Sequence, residues 1–206
     1  LFVFLIRSVR LSEVALFVRS VDWRYTLVGF LLYMVANVLR AERFYWIVGE
    51  KIGRLEFFRI VCLQNFFNVI LPFRLGELSY VALVRRNGGV ALSRGISSLL
   101  GARAFDLASI VSLFIVSLLS VFGSVAESRV FFIAAFGMLA LVCGGLGALI
   151  YSDRLGRMLQ KVLPELGGEV IRGLQELRQG RMAWKAGTLS VLIWLVMFCY
   201  AYMLFV

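Results

Sequence analysis

Histidine is absent from this 206-residue chain. Without an imidazole there is no Ser-His-Asp or Cys-His nucleophile pair and no HExxH site, and a catalytic zinc centre is not expected. Cysteine occurs three times and proline twice. Cys62, Cys143 and Cys199 each lie inside an apolar stretch. That scatter makes neither a disulfide framework nor a metal-ligand spacing, and it reads as small hydrophobes. No GxxxxGK(S/T) run is present, so the chain itself is not expected to hydrolyse nucleotide. No two carboxylates stand in an acid–base relation, and no cofactor or metal is implied. Ordinary enzyme chemistry is therefore poorly supplied.

Acidic charge is also scarce, with 12 Asp and Glu against 22 Lys and Arg. What fills the chain instead is apolar: 61% of residues, at a mean hydropathy of +0.90. A soluble domain sits nearer about 45–50% apolar, so the excess must face something other than water. Apolar runs at 107–123, 130–151 and 188–206, with a shorter one at 25–39, approach the length of about 20 residues that a bilayer-crossing helix needs. The expected fold class is all-α, a polytopic transmembrane helical bundle. Residues 1–6 read as the tail of another crossing, and the sequence starts and stops inside apolar stretches. The expectation is a single membrane domain over 1–206 that is a fragment of a longer one.

The basic excess falls between the apolar runs. Arg40, Arg43, Lys51, Arg54 and Arg59 form one cluster, and Arg85, Arg86 and Arg94 a second. The third spans Arg154 to Lys185. This is the pattern of loops beside anionic headgroups rather than of a nucleic-acid binder, so no nucleic-acid partner is expected. The positive-inside rule puts all three clusters on the cytoplasmic side and the 124–127 loop outside. The apolar stretch between the first two clusters then cannot cross only once. A helix over 60–71 would span about 18 Å and one over 75–84 about 15 Å, so neither covers the bilayer core. The expected solution is a re-entrant helical hairpin with its tip at 71–77. Pro72 and Gly76 suit the break. Broken backbone at membrane depth needs protein or a watery cavity around it. Over 153–177 the helical spacing of apolar residues, interrupted by Pro164 and Gly167-Gly168, predicts two amphipathic helices at the membrane surface. A helical hairpin packed on the bundle is the alternative.

Within this frame the polar residues are few enough to weigh singly. Arg74 and Glu77 sit at the expected tip, where charge is costly without a partner or a function. Arg74 can grip a phosphate in a bidentate manner, with Glu77 holding it or meeting a cationic group; a structural ion pair is the alternative. Gln64, Asn65 and Asn68 share a helix face and form either interhelical glue or a polar cavity wall. Arg103 and Asp106 are three apart at the expected start of a crossing helix. Arg40 and Arg43 end the second crossing, as snorkelling anchors or as neighbours of anionic headgroups. The candidate headgroup-binding set is Asn65, Asn68, Arg74, Glu77, Arg103, Asp106, Arg40 and Arg43.

The run from Asn65 through Pro72 and Arg74 to Glu77 resembles a signature of the lysylphosphatidylglycerol synthase transmembrane, or flippase-like, domain family. Arg40-Ala41-Glu42-Arg43-Phe44 is similar to that family's Arg-x-x-Arg-Trp helix end, with Phe44 for Trp. Leu83-Val84-Arg85-Arg86 followed by Ser93 is similar to the segment after its hairpin. Arg103-Ala104-Phe105-Asp106 matches its Arg-x-x-Asp helix start, with Ala102 where Glu is common, and Trp194 also has a counterpart. The resemblance implies a bacterial or archaeal inner-membrane module that moves a phospholipid or lipid-linked molecule between leaflets. The rival expectation is a non-transporting scaffold that presents lipid to a partner synthase or glycosyltransferase. Candidate partners are thus a membrane lipid, a partner enzyme and a second copy of the chain.

Overall fold

In the computed structural model the described residues are 22–49, 52–72, 75–125, 137, 164–178 and 181–205. The expected crossing at 1–6, that at 130–151 apart from residue 137, Arg74, and the first part of the amphipathic segment lie outside them. Among the described residues there are six helices and no strand: α1 (Trp23–Val48), α2 (Arg54–Ile70), α3 (Gly76–Gly88), α4 (Leu92–Val125), α5 (Pro164–Arg178) and α6 (Arg181–Phe205).

Local chemistry sets the ends. The Asp22 carboxylate accepts from the Arg24 amide at 2.9 Å and caps α1. Pro72 forces Leu71 into an extended conformation (φ −87°, ψ 132°), which stops α2. Gly89 closes α3 in the left-handed region at φ 58°, where a side chain would be strained. Pro164 begins α5 at a position where its missing N–H costs nothing.

Two boundaries differ from the sequence expectation. The fourth helix begins at Leu92, so Arg103 and Asp106 lie well inside it rather than at its start. Polar partners from neighbouring helices accept both charges, so a local dip in hydropathy does not mark a boundary. The helix α5 passes straight through Gly167-Gly168, and it packs on α4 with Val170 buried and Leu174 against the core. This part of the segment is one helix packed on the bundle, and its expected partner helix lies outside the described residues.

Helices α2 and α3 run antiparallel. At their joined end Gly76 is so close to Asn68 that an added Cβ would overlap the Asn68 amide nitrogen. At their open end Asn87 Nδ2 donates to Glu56 Oε1 at 2.7 Å. The core of the molecule sits here: Phe57, Ile60, Val61, Tyr80 and Val84 are almost wholly buried, and the Phe44 and Tyr80 rings lie 4.3 Å apart. Basic side chains collect around this same end. Arg54 pairs with Glu42 at 3.0 Å, Arg59 with Glu56 at 3.2 Å, and Lys185 stands over the Trp46 ring.

Away from that end polar side chains join apolar ones such as Ala36, Val111 and Ile193 in the interior. Buried side chains there include Asn37, Arg43, Gln64, Asp106, Ser109 and Ser190, while Val69, Phe66, Phe30, Leu195 and Phe198 are exposed. Two helical stretches, Leu92–Ser117 and Met182–Met203, are long and apolar enough to cross a membrane. Helix α1, about 39 Å long, also has the length, but Asn37 and Arg40 interrupt its apolar run. A polar interior under an apolar exterior suits a bundle whose solvent is lipid.

Candidate functional site

The buried charges meet where α1, α3, α4 and α6 converge. Arg43 on α1 is bidentate to Asp106 on α4, through Nη1 to Oδ1 at 2.5 Å and Nη2 to Oδ2 at 3.3 Å. The same Nη1 donates to Ser190 Oγ on α6 at 2.8 Å, and Trp194 Nε1 reaches Asp106 Oδ1 at 3.3 Å. With its side chain only 4% exposed, Arg43 is no snorkelling anchor. A carboxylate and a hydroxyl on facing helices draw it inward, and its Nε is buried without a partner.

Asp106 is shared. Arg103, one turn earlier on α4, approaches its Oδ2 at 3.6 Å and ion-pairs with Glu77 on α3 through both nitrogens of its fork. The chain of charges therefore runs Glu77–Arg103–Asp106–Arg43. Its inner end is closed, and at its outer end the Arg103 side chain is 44% exposed. Glu77, expected beside Arg74, here has Arg103 as its partner. The local Arg103–Asp106 pair exists, but each residue has a closer partner on another helix.

A second group sits beside the first. Asn37 Oδ1 accepts from Arg40 Nη1 at 2.9 Å and from Asn65 Nδ2 at 2.8 Å, joining α1 to α2. Arg40 lies within the field of Arg43, Asp106 and Arg103, yet among the described residues it has no carboxylate partner. Counting Arg40, Arg43 and Arg103 against Glu77 and Asp106, the described cluster carries one positive charge in excess. Asn68, expected beside Asn65, does not join this group; its buried Oδ1 has no partner and faces Gly76 at the hairpin tip. Gln64 is buried on the same helix.

Of the expected residues, then, Arg43, Glu77, Arg103 and Asp106 form one network and Arg40 and Asn65 an adjoining one. Asn68 stands apart, and Arg74 is outside the described residues. Sequence reasoning missed Asn37 and Ser190. Asn37 left a signal, an amide inside an apolar run, whereas a serine on an apolar helix is too common to stand out. No group of His, Cys, Asp or Glu among the described residues could hold a metal, and Cys62 and Cys199 are free.

No curated protein and no solved structure is significantly similar to the chain. The family model described as the lysylphosphatidylglycerol synthase TM region matches residues 1–206, the whole sequence. The chain, with its polar seam inside an apolar helical bundle, belongs to the lysylphosphatidylglycerol synthase transmembrane-region family.

Proposed function

We propose that this chain is a flippase-like membrane transporter that moves a phospholipid or lipid-linked molecule between leaflets of a bacterial or archaeal inner membrane. The observation that carries the reading is the charge excess of the seam. Among the described residues three guanidinium groups stand beside two carboxylates, so an anionic headgroup can complete the set. Arg40, with no carboxylate partner among the described residues, and the half-exposed Arg103 are the groups placed to receive a phosphate, whose geometry a guanidinium suits. Acyl chains would remain against the apolar exterior. In this reading the basic end of the bundle faces the cytoplasm, and the α2–α3 pair enters and leaves the bilayer from that side. The reading assigns no synthase chemistry to the chain, and movement would be passive or driven by an ion gradient.

The test is leaflet-to-leaflet movement of headgroup-labelled lipid in proteoliposomes. The parent protein should accelerate it, and Arg103→Ala and Arg40→Gln should each slow it at least tenfold, roughly the cost of one lost charge-assisted contact. Unchanged rates in both variants would remove the seam from the mechanism.

One observation favours a second reading. The Arg43–Asp106 pair is largely buried and held by Ser190 and Trp194, as expected of a structural latch in a scaffold that presents lipid to a partner enzyme. Absence of movement for anionic, zwitterionic and aminoacylated lipids, together with a stable enzyme complex, would favour it.

A further inference from the structure

A groove of about 540 Å³ lies between α3 and α4. Leu78 and Ala82 on α3 and Leu92 and Ile96 on α4 form its walls, with Arg85 and Arg86 beside them. Leu78, Ala82 and Arg85 follow helical spacing, so they form one stripe on α3. That stripe runs from apolar to cationic over about 10 Å, at the usual helical rise. Both arginines lie in the last turn of α3, at the end where Arg54, Arg59 and Lys185 also gather. Neither has an ion-pair partner among the described residues.

We infer that this groove holds a single anionic phospholipid, its phosphate on Arg85 and Arg86 and an acyl chain between α3 and α4. The charge pattern argues for this occupant. The helix dipole favours cations at the end of α3 but does not require two of them beside an apolar trough. A helix from another protein could fill the trough, but it would need acidic groups at one end only. A phospholipid has that polarity by construction, and a bilayer would present its phosphate at the level of the basic end. The groove shares no lining residue with the seam, so it can be occupied whether or not the protein moves lipid.

The test is binding, read by mass spectrometry of the intact detergent-solubilised protein titrated with phosphatidylglycerol or phosphatidylcholine of matched chains. Phosphatidylglycerol should bind more tightly, and R85Q/R86Q should lower its affinity roughly tenfold or more, towards that of phosphatidylcholine. Ala82→Trp should block the trough and weaken both lipids. Arg94→Gln, a basic residue of the same end outside the groove, should change nothing. Water-soluble glycerophosphoglycerol should not compete. Far-UV circular dichroism reports folding, and R85K/R86K, which keeps the charge but loses the fork, should fall between parent and double variant. Equal affinity for the two lipids, retention of binding by R85Q/R86Q, or competition by the free headgroup would each overturn the inference.

Discussion

Asp106 receives hydrogen bonds from Arg43 and Trp194 and a further cation from Arg103, so its loss would leave an enclosed guanidinium without compensation. Breaking a buried pair from one side costs about 3–5 kcal/mol, whereas replacing both partners with apolar groups of similar volume is often close to neutral. Asp106→Ala should therefore lower the melting temperature in detergent sharply, and Arg43→Met combined with Asp106→Leu should recover most of it. A double variant no better than the single one would mean that the pair does more than balance charge. At this scale the sequence was informative about which residues are unusual, since any Arg, Asp or Asn in an apolar run stands out. It was less informative about partners. Arg103 and Asp106 looked like a pair because they are one turn apart, yet their closer partners lie 26 positions away at Glu77 and 63 positions away at Arg43. Contacts of that kind depend on how helices pack, which residue spacing does not encode.

At the scale of elements, the joint between α2 and α3 is the tightest point. Gly76→Ala would drive a methyl group into the Asn68 backbone, which cannot yield as a side chain can. The expected cost is about 1–3 kcal/mol, the range of overpacked sites, seen as a lower melting temperature. The replacement should also disturb the nearby Glu77–Arg103 pair, so the proteoliposome assay should register it as well. Pro72 and Gly76 had made this joint visible in advance, because each acts on the backbone locally. The start of α4 was hidden by the opposite circumstance. Its first turns hold Ser93, Arg94, Ser97 and Ser98, which look like a loop until the neighbours that bury three of them are in place.

For the molecule as a whole, the gathering of basic groups at one end fixes a testable orientation. In a cysteine-free background, single cysteines at Leu55 and Asn87 should react with an impermeant thiol reagent from the same side of the membrane, and one at Trp23 from the other. Labelling of Leu55 and Asn87 from opposite sides would replace the hairpin with a single crossing. The membrane character of the chain was legible from composition alone, because an apolar exterior needs many apolar residues wherever they fall. The same closure of α1 onto α4 and α6 also gives assembly a timetable. Arg43 leaves the ribosome 63 residues before Asp106 and 147 before Ser190. At ordinary rates of synthesis its carboxylate arrives about 3–13 s later and its hydroxyl about 7–29 s later. Only five positions separate Arg43 from the end of α1 at Val48, close enough for the side chain to wait in interfacial water. The residue is buried in the finished protein, but it has to begin its life as a surface charge.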